Sequence, residues 1–435
     1  MINKLLNYKL LLALAIMFGI SMACSDISTI SDSSDLDDIE QSDLNPGDVI
    51  EGSYIVVLNT DEEEVAQKGK AYVEQFRNEI YSAANVSMDE VQFSFNTAIH
   101  GFSVQLDETQ LAKLKTDERV AFVEQDRVVA LSPPCGTPRG GECDDDDDDD
   151  DGDDGDDGDD GDDGDDGDDS DDGNGNGDNG DAITPWGIER VGGAVDYSGG
   201  AVSWVIDTGI QLDHPDLNVD QNRGFTAFTR GPDGRDADDG NGHGTHVAGT
   251  IGASGGIVGV ASGVLQVPVK VLDRRGSGSI SGVIAGVDYV ATNASEGDVA
   301  NMSLGGGTSD ALDAAVISAA DQGILFAIAA GNSSTWAGNS SPARVDHPNT
   351  WTIAATDIND NFASFSNYGP PTSHAAPGVD VESTWIESGY RSISGTSMAA
   401  PHVAGILLVN NGNVNSDGES STAPDGVNYP IASHE

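Results

Sequence analysis

Three polar residues stand where they could do chemistry. Ser397 lies in "ISGTSMAAPHVAG" (393–405), His243 in "DGNGHGTHVAGT" (239–250), and Asp207 ends the apolar run "AVSWVID" (201–207). A serine hydroxyl is a weak nucleophile until a positioned base takes its proton. Histidine titrates near neutrality and can be that base. A carboxylate at a buried strand end needs a donor, and an imidazole N–H is a fitting one. Each residue also has a structural reading. Ser397 is a favoured helix N-cap ahead of a small apolar run, and Asp207 could cap the turn that follows it. Gly242 and Gly244 let other backbone or a substrate come close to the His243 ring. His243 and His246 could instead share a metal, but no Glu lies between them in the metalloprotease arrangement and no third ligand is evident. His246 therefore reads as a helix residue packed or hydrogen-bonded behind the site.

The elements that would carry these residues are apolar strands, "AVSWVID", "VPVKVLD", "VANMSL" and "ILFAIAA", alternating with helical stretches at 281–292 and 309–322. Near-continuous apolar strands separated by helices predict an α/β fold with a parallel sheet covered on both faces. Ligands of such sheets sit beyond the carboxyl ends of the strands, where the polar residues fall.

Upstream the chain changes character. Residues 1–23 place Lys4 and Lys9 before "LLLALAIMFGI" and "SMAC", the layout of an export signal whose apolar run is too short to span a membrane. "SMAC" is similar to a bacterial lipobox, which makes Cys24 a candidate lipidated residue at the head of a polar tether, 24–52. Residues 53–131 read as a β-α-β-β-α-β unit of ferredoxin-like α+β type. Thr60 with Glu63 is expected to box the first helix through about Ala84, and Asp107 with Gln110 to open the second. His100 reads as structural. The linker 132–183 holds Cys135 and Cys143, either a small disulfide loop or two exposed thiols. From Asp144 to Asp181, 24 of 38 residues are Asp and none is basic. Such a Gly-interrupted acidic run cannot bury a core and is expected to be extended. It lacks the apolar position and terminal Glu of an EF-hand loop. The net charge of -56 argues against a nucleic-acid partner.

Together, "VIDTGI", "GHGTHVAGT" and "GTSMAAPHVAG", in the order Asp, His, Ser, resemble the subtilisin superfamily. "TPWGIERV", "GSGSISGVIAGVDYV", "SFSNYG" and "APGVDVESTW" are similar to its proteinase K branch. The resemblance covers roughly 184–410 and implies a three-layer subtilisin-like domain over 184–435. It also implies an Asp207–His243–Ser397 triad, with Asn332 of "AIAAGN" as the oxyanion residue beside the Ser397 N–H. Gly276, Ser277 and Gly278, with Ser303, Leu304, Gly305 and Gly306, resemble the two strands that flank an extended substrate. Ser303–Gly306 with Ala329, Ala330 and Gly331 would line an apolar pocket, so cleavage after apolar or aromatic residues is expected. "YIVVL", "GFSVQL" and "VAFVEQD" make 53–131 resemble the family's inhibitory propeptide. Two features depart from the family. Ser373 stands where close relatives place an Asp calcium ligand, and the chain ends 38 residues after Ser397. Either the domain's final helix and strands are trimmed, or the tail "DGVNYPIASHE" folds back differently. "DADDGNG" (236–242) offers carboxylates that could hold structural calcium, although a solvated acidic loop fits as well.

The expectation is an exported serine endopeptidase made as a self-processing zymogen, either a cell-envelope lipoprotein anchored at Cys24 or secreted after propeptide cleavage, with ordinary secretory cleavage beside an incidental Cys24 as the alternative reading. It would act on protein or peptide substrates as a monomer, with its own propeptide as inhibitor and no cofactor for chemistry. The competing class is an inert surface protein whose acidic spacer binds calcium.

Overall fold

A computed structural model describes residues 46–131 and 182–435. The first segment runs β1 (Val49–Leu58), α1 (Glu62–Lys68), α2 (Lys70–Ala84), β2 (Val91–Phe95), β3 (Gly101–Gln105), α3 (Glu108–Leu114) and β4 (Val120–Ala130). Its strands pair antiparallel in the order β4-β1-β3-β2. Alternate residues of β1 serve two cores. Val56 and Leu58 pack with Ile80, Tyr81, Phe102 and Leu114 inside the unit, while Ile55 and Val57 face outward into the core of the second segment.

Two local expectations are corrected. Asp61, not Thr60, caps α1, its carboxylate accepting the N–H groups of Glu63 (2.9 Å) and Glu64 (3.2 Å). A charged acceptor holds those donors better than a hydroxyl does. Thr60 Oγ1 instead bonds His100 Nδ1 at 2.7 Å, which gives that ring its structural task. The unit also starts before residue 53, because Gly47 N donates to Val128 O and Val128 N to Asp48 O. Asp107 and Gln110 do form a capping box on α3.

The second segment runs α4 (Trp186–Arg190), β5 (Val195–Asp196), β6 (Ser203–Asp207), β7 (Phe225–Thr226), α5 (His243–Gly252), β8 (Ala261–Ser262), β9 (Gln266–Lys270), β10 (Ser277–Ser279) and α6 (Ile280–Asn293). It continues through β11 (Val299–Met302), α7 (Asp310–Asp321), β12 (Leu325–Ala329), β13 (Thr350–Thr356), β14 (Thr372–Pro377), β15 (Val381–Trp385), β16 (Gly389–Ile393), α8 (Thr396–Val409), β17 (Asn415–Glu419) and β18 (Pro430–Ser433). The central sheet has the order β17-β18-β14-β13-β12-β11-β6-β9-β7, parallel apart from β17. The tail folds back, β18 adding to β14 through Ala375 and Ile431.

Strand residues alternate between two helical layers. Trp204, Ile206, Phe326 and Ile328 face α6 and α7, whereas Val205, Ala327 and Ile353 face α5 and α8. Helix α8 is buried from Thr396 to Leu408 on every side, as a helix at the centre of a domain must be. The chain goes from β6 to β9 on one side, then crosses to β11 on the other side of β6. Their carboxyl ends therefore open the crevice in which the sheet can hold a ligand.

Candidate active site

Asp207 is the last residue of β6, and His243 is the first of α5. What brings them together is a close approach of backbones. A Cβ on Gly244 would lie 2.1 Å from Gly209 O and 3.2 Å from Asp207 Cβ, so glycine alone allows it. The helix start is held by Asp239. Its buried carboxylate accepts the N–H groups of Asn241 (2.8 Å), Gly242 (3.0 Å) and Thr245 (3.0 Å) and the hydroxyls of Thr208 (2.9 Å) and Thr245 (2.7 Å). Thr208 Oγ1 in turn accepts Gly244 N at 2.9 Å.

With both residues buried, His243 Nδ1 meets Asp207 Oδ1 at 2.8 Å. Asp207 Oδ1 also accepts Thr208 N at 2.7 Å. This contact commits Nδ1 and leaves Nε2 as the ring nitrogen able to take a proton. Among the described residues, His243 Nε2 and Asp207 Oδ2 have no hydrogen-bond partner.

Ser397 does not cap its helix. Gly395 is the N-cap of α8, and Ser397 is its second residue, with its hydroxyl donating to Ser303 O at 3.1 Å. Ser303 Oγ returns a bond to Ser397 O at 2.7 Å and is held by Asn301 Nδ2 at 2.8 Å. At this position the Ser397 N–H belongs to the first turn, whose donors the helix leaves unused. Asn332 follows Gly331 at the end of β12. Its Oδ1 accepts Thr396 N (2.9 Å) and Thr396 Oγ1 (2.7 Å), so the amide's Nδ2 points the other way. Local pattern does not single out Thr396 or Asp239: the first hides in "GTS" beside Ser397, and the second sits in an acidic run that reads as a solvated loop.

A cavity of about 260 Å³ is lined by Ser303, Leu304, Gly305, Gly306, Ala329 and Gly331, together with Asn332, Thr335 and Ser397. Among the described residues no charged side chain lines it. Ala330, expected there, is fully buried, and its carbonyl takes Asn367 Nδ2 at 2.8 Å. Gly276, Ser277 and Gly278 lie outside the cavity and serve as a strand edge. β4 pairs antiparallel with β10, placing Ala130 opposite Ser277 and Val129 opposite Gly278, and Leu131 N donates to Gly276 O at 2.9 Å. Ala130 and Leu131 thereby line the cavity. Carboxylates anchor this docking from both sides. Asp288 on α6 accepts the N–H groups of Asn96, Thr97 and Ala98, with its shortest bond 2.7 Å. Asp126 takes Ser281 N and Oγ at the start of α6, and Glu124 takes Ala311 N at the start of α7.

His246 does lie behind the site. Its Nε2 contacts Val381 O at 2.9 Å and Arg391 O at 3.1 Å, and burial pushes its pKa down to about 3. In the 236–242 segment Asp239 is taken by five protein donors, while Asp238 Oδ1 accepts Leu212 N and Asp236 Oδ1 accepts Asp238 N. Among the described residues no group of three His, Cys, Asp or Glu side chains is gathered to hold a metal. Ser373 Oγ donates weakly to Thr352 O at 3.4 Å. Cys24, Cys135, Cys143 and the acidic run lie outside the described residues.

Comparison with known proteins agrees with this architecture. The Subtilase family profile matches residues 199–418 and the Peptidase inhibitor I9 profile residues 53–132. "Alkaline serine exoprotease A" of Vibrio alginolyticus is 37% identical over 426 residues, covering 94% of this chain and 70% of that protein. "Extracellular serine proteinase" of Thermus sp. (strain Rt41A) is 37% identical over 326 residues, covering 72% and 66%. A crystal structure of a cold adapted subtilisin-like serine proteinase superposes with a TM-score of 0.52 at 40% identity, covering 58% of this chain and 98% of that one. The chain belongs to the subtilase family and is a serine endopeptidase whose protease domain follows an I9 propeptide.

Proposed function

We propose that Asp207, His243 and Ser397 are the catalytic triad, and that the protein is a self-processing endopeptidase cutting after apolar or aromatic residues. The observation that carries this reading is β4, laid along Ser277–Ser279 as an added strand with its last residues in the cavity that Asn332 and Ser397 line.

In this mechanism the Ser397 hydroxyl turns from Ser303 O toward His243 Nε2 and gives up its proton as Oγ bonds to the substrate carbonyl carbon. Asp207 holds the ring in the tautomer that can accept and stabilises the imidazolium. Asn332 Nδ2 and the Ser397 N–H stabilise the oxyanion. The imidazolium then protonates the leaving amine, and water, deprotonated by the same ring, hydrolyses the acyl ester. The chain's own groups fill every role. The uncharged lining of the cavity supports an apolar P1 side chain.

Segment 53–131 acts as the intramolecular inhibitor, and cutting between Ala130 and Thr184 frees 184–435. The layout of residues 1–23 supports export, with Cys24 as the lipid anchor until that cut releases the protease. A labelled fluorophosphonate tests the assignment. Covalent attachment to the matured protein is expected and should vanish in Ser397→Ala; labelling that survives the substitution overturns it. A peptide library reads P1 preference, and mass spectrometry of the mature N-terminus reads processing and lipidation.

A further inference from the structure

The hairpin of β15 and β16 lies across both the loop after Asp207 and the helix that begins with His243. Three consecutive residues of β15 touch the backbone of α5 or its N-cap. Ser383 Oγ donates to His246 O at 2.8 Å, and Thr384 Oγ1 to Thr245 O at 2.7 Å. The Trp385 indole lies against Gly242, where a Cβ would fall 2.3 Å from Cε2 and 2.4 Å from Cζ2. Gly242 has φ +111°, so this N-cap is glycine for its backbone as well as for its neighbour. The indole is fixed in turn, with the Arg391 guanidinium 4.8 Å from one ring and the His246 ring edge-on at 6.2 Å.

The other edge of the hairpin grips the Asp207 side. Ser388 N donates to Gln211 Oε1 at 3.0 Å, Gln211 Nε2 to Ser388 Oγ at 3.1 Å, and Tyr390 OH to Asp216 Oδ2 at 2.6 Å. Gln211 N closes the circuit on Thr245 Oγ1 at 2.9 Å. Four residues beyond β16 the chain reaches Ser397.

We propose that the 381–393 hairpin is the brace that sets His243 against Asp207 and Ser397, with Trp385 as its positioning residue through Gly242. This rests on the triad reading above. In that reading Trp385 acts through Gly242, by stopping the first turn of α5 from lifting. A shift of about 1 Å at a reacting group costs on the order of 100-fold in rate.

The test uses matured protein from the full chain, with affinity-tagged wild-type protein added and then withdrawn where a variant processes slowly. The rate of fluorophosphonate labelling per folded molecule, and its pH midpoint, are measured for Trp385→Ala, Trp385→Phe and Thr384→Val. Trp385→Ala is expected to slow labelling by at least about tenfold and to move the midpoint, because the His243–Asp207 contact loosens. Trp385→Phe should recover most of the rate, and Thr384→Val should slow it by about threefold. A purely supporting residue lowers the melting temperature and leaves rate and midpoint alone; that result overturns the proposal. Should Trp385→Ala fail to fold, an unchanged rate in Thr384→Val overturns it instead. Ser397→Ala run in parallel separates the two readings. If that variant still labels, the triad assignment has failed. If its labelling is lost while Trp385→Ala labels normally, only the brace has failed.

Discussion

Thr396 fixes the amide of Asn332 with two hydrogen bonds to Oδ1, 2.9 Å from its N–H and 2.7 Å from its hydroxyl. The residue before the proposed nucleophile thus orients the proposed oxyanion donor, and Thr396 Oγ1 also accepts Gly331 N at 3.0 Å. Thr396→Val removes the hydroxyl and keeps the shape. It is expected to lower kcat by about tenfold, the worth of one buried hydrogen bond of about 1.4 kcal/mol, with KM nearly unchanged. Asn332→Ala should cost more. Subtilisin is the standing example for such a donor, where its loss costs about 100- to 1000-fold in kcat. Steady-state kinetics on a chromogenic peptide checks both.

Asp207→Asn leaves the packing intact and offers His243 Nδ1 the wrong partner. A drop in kcat of about 10⁴-fold is expected, the size such a change has in serine proteases. Processing should stall with it, so full-length chain accumulates on a gel. Normal maturation of Asp207→Asn would exclude this carboxylate from the chemistry.

Asp288 is the anchor for three propeptide N–H groups. Asp288→Ala strands those donors at the interface. Release of the cleaved propeptide is expected to speed up by tenfold or more, since bonds to a charged group are worth about 1.5–3 kcal/mol. Peptide hydrolysis by the freed protease should not change. Time-resolved recovery of activity after processing reads the first effect, and kcat/KM the second.

Burial pushes His246 down to about 3 and His402 down to about 4, from an ordinary 6.5. Between those values and 6.5 the unfolded chain binds protons that the fold refuses, so stability is full above about pH 6.5 and falls as pH drops through the window. The melting temperature of Ser397→Ala, which cannot digest itself, should decline from pH 7 to pH 4. Burial raises Glu124, Asp126, Asp239, Asp288 and Asp313, which act in the opposite sense. The deciding measurement is therefore the change of slope when His246 or His402 is replaced by Gln; an unchanged slope would contradict neutral burial of that ring.

A pocket without charge should discriminate by size. Ala329→Val narrows the cavity at the end of β12. It is expected to lower kcat/KM for aromatic P1 residues by about tenfold relative to alanine, since one or two methyl groups in a pocket are worth about 1–3 kcal/mol. Competing peptide substrates differing only at P1 measure the ratio.

The parallel sheet and the three motifs are legible in the order of residues alone. Buried strands read as unbroken apolar runs, and close backbone approaches demand glycines in fixed places, such as Gly244 beside Asp207. Gly276, Ser277 and Gly278 are marked as well, and β4 lies along that edge. Which distant polar groups meet is set by the fold. Asp239 looks solvated in an acidic loop until α5 starts beside it: Asn241, Gly242 and Thr245 supply four of its five donors, and Thr208 the distant one. Asp61 displaces Thr60 as a cap because His100, forty residues away, takes the threonine hydroxyl. Ser397 sits at the second position of its helix, with Gly395 as the N-cap, and its hydroxyl reaches Ser303 O, ninety-four residues away in the chain. Local patterns report which residues are buried and where the backbone turns. A hydrogen bond between residues far apart in the chain is fixed by distance in space, which periodicity does not encode.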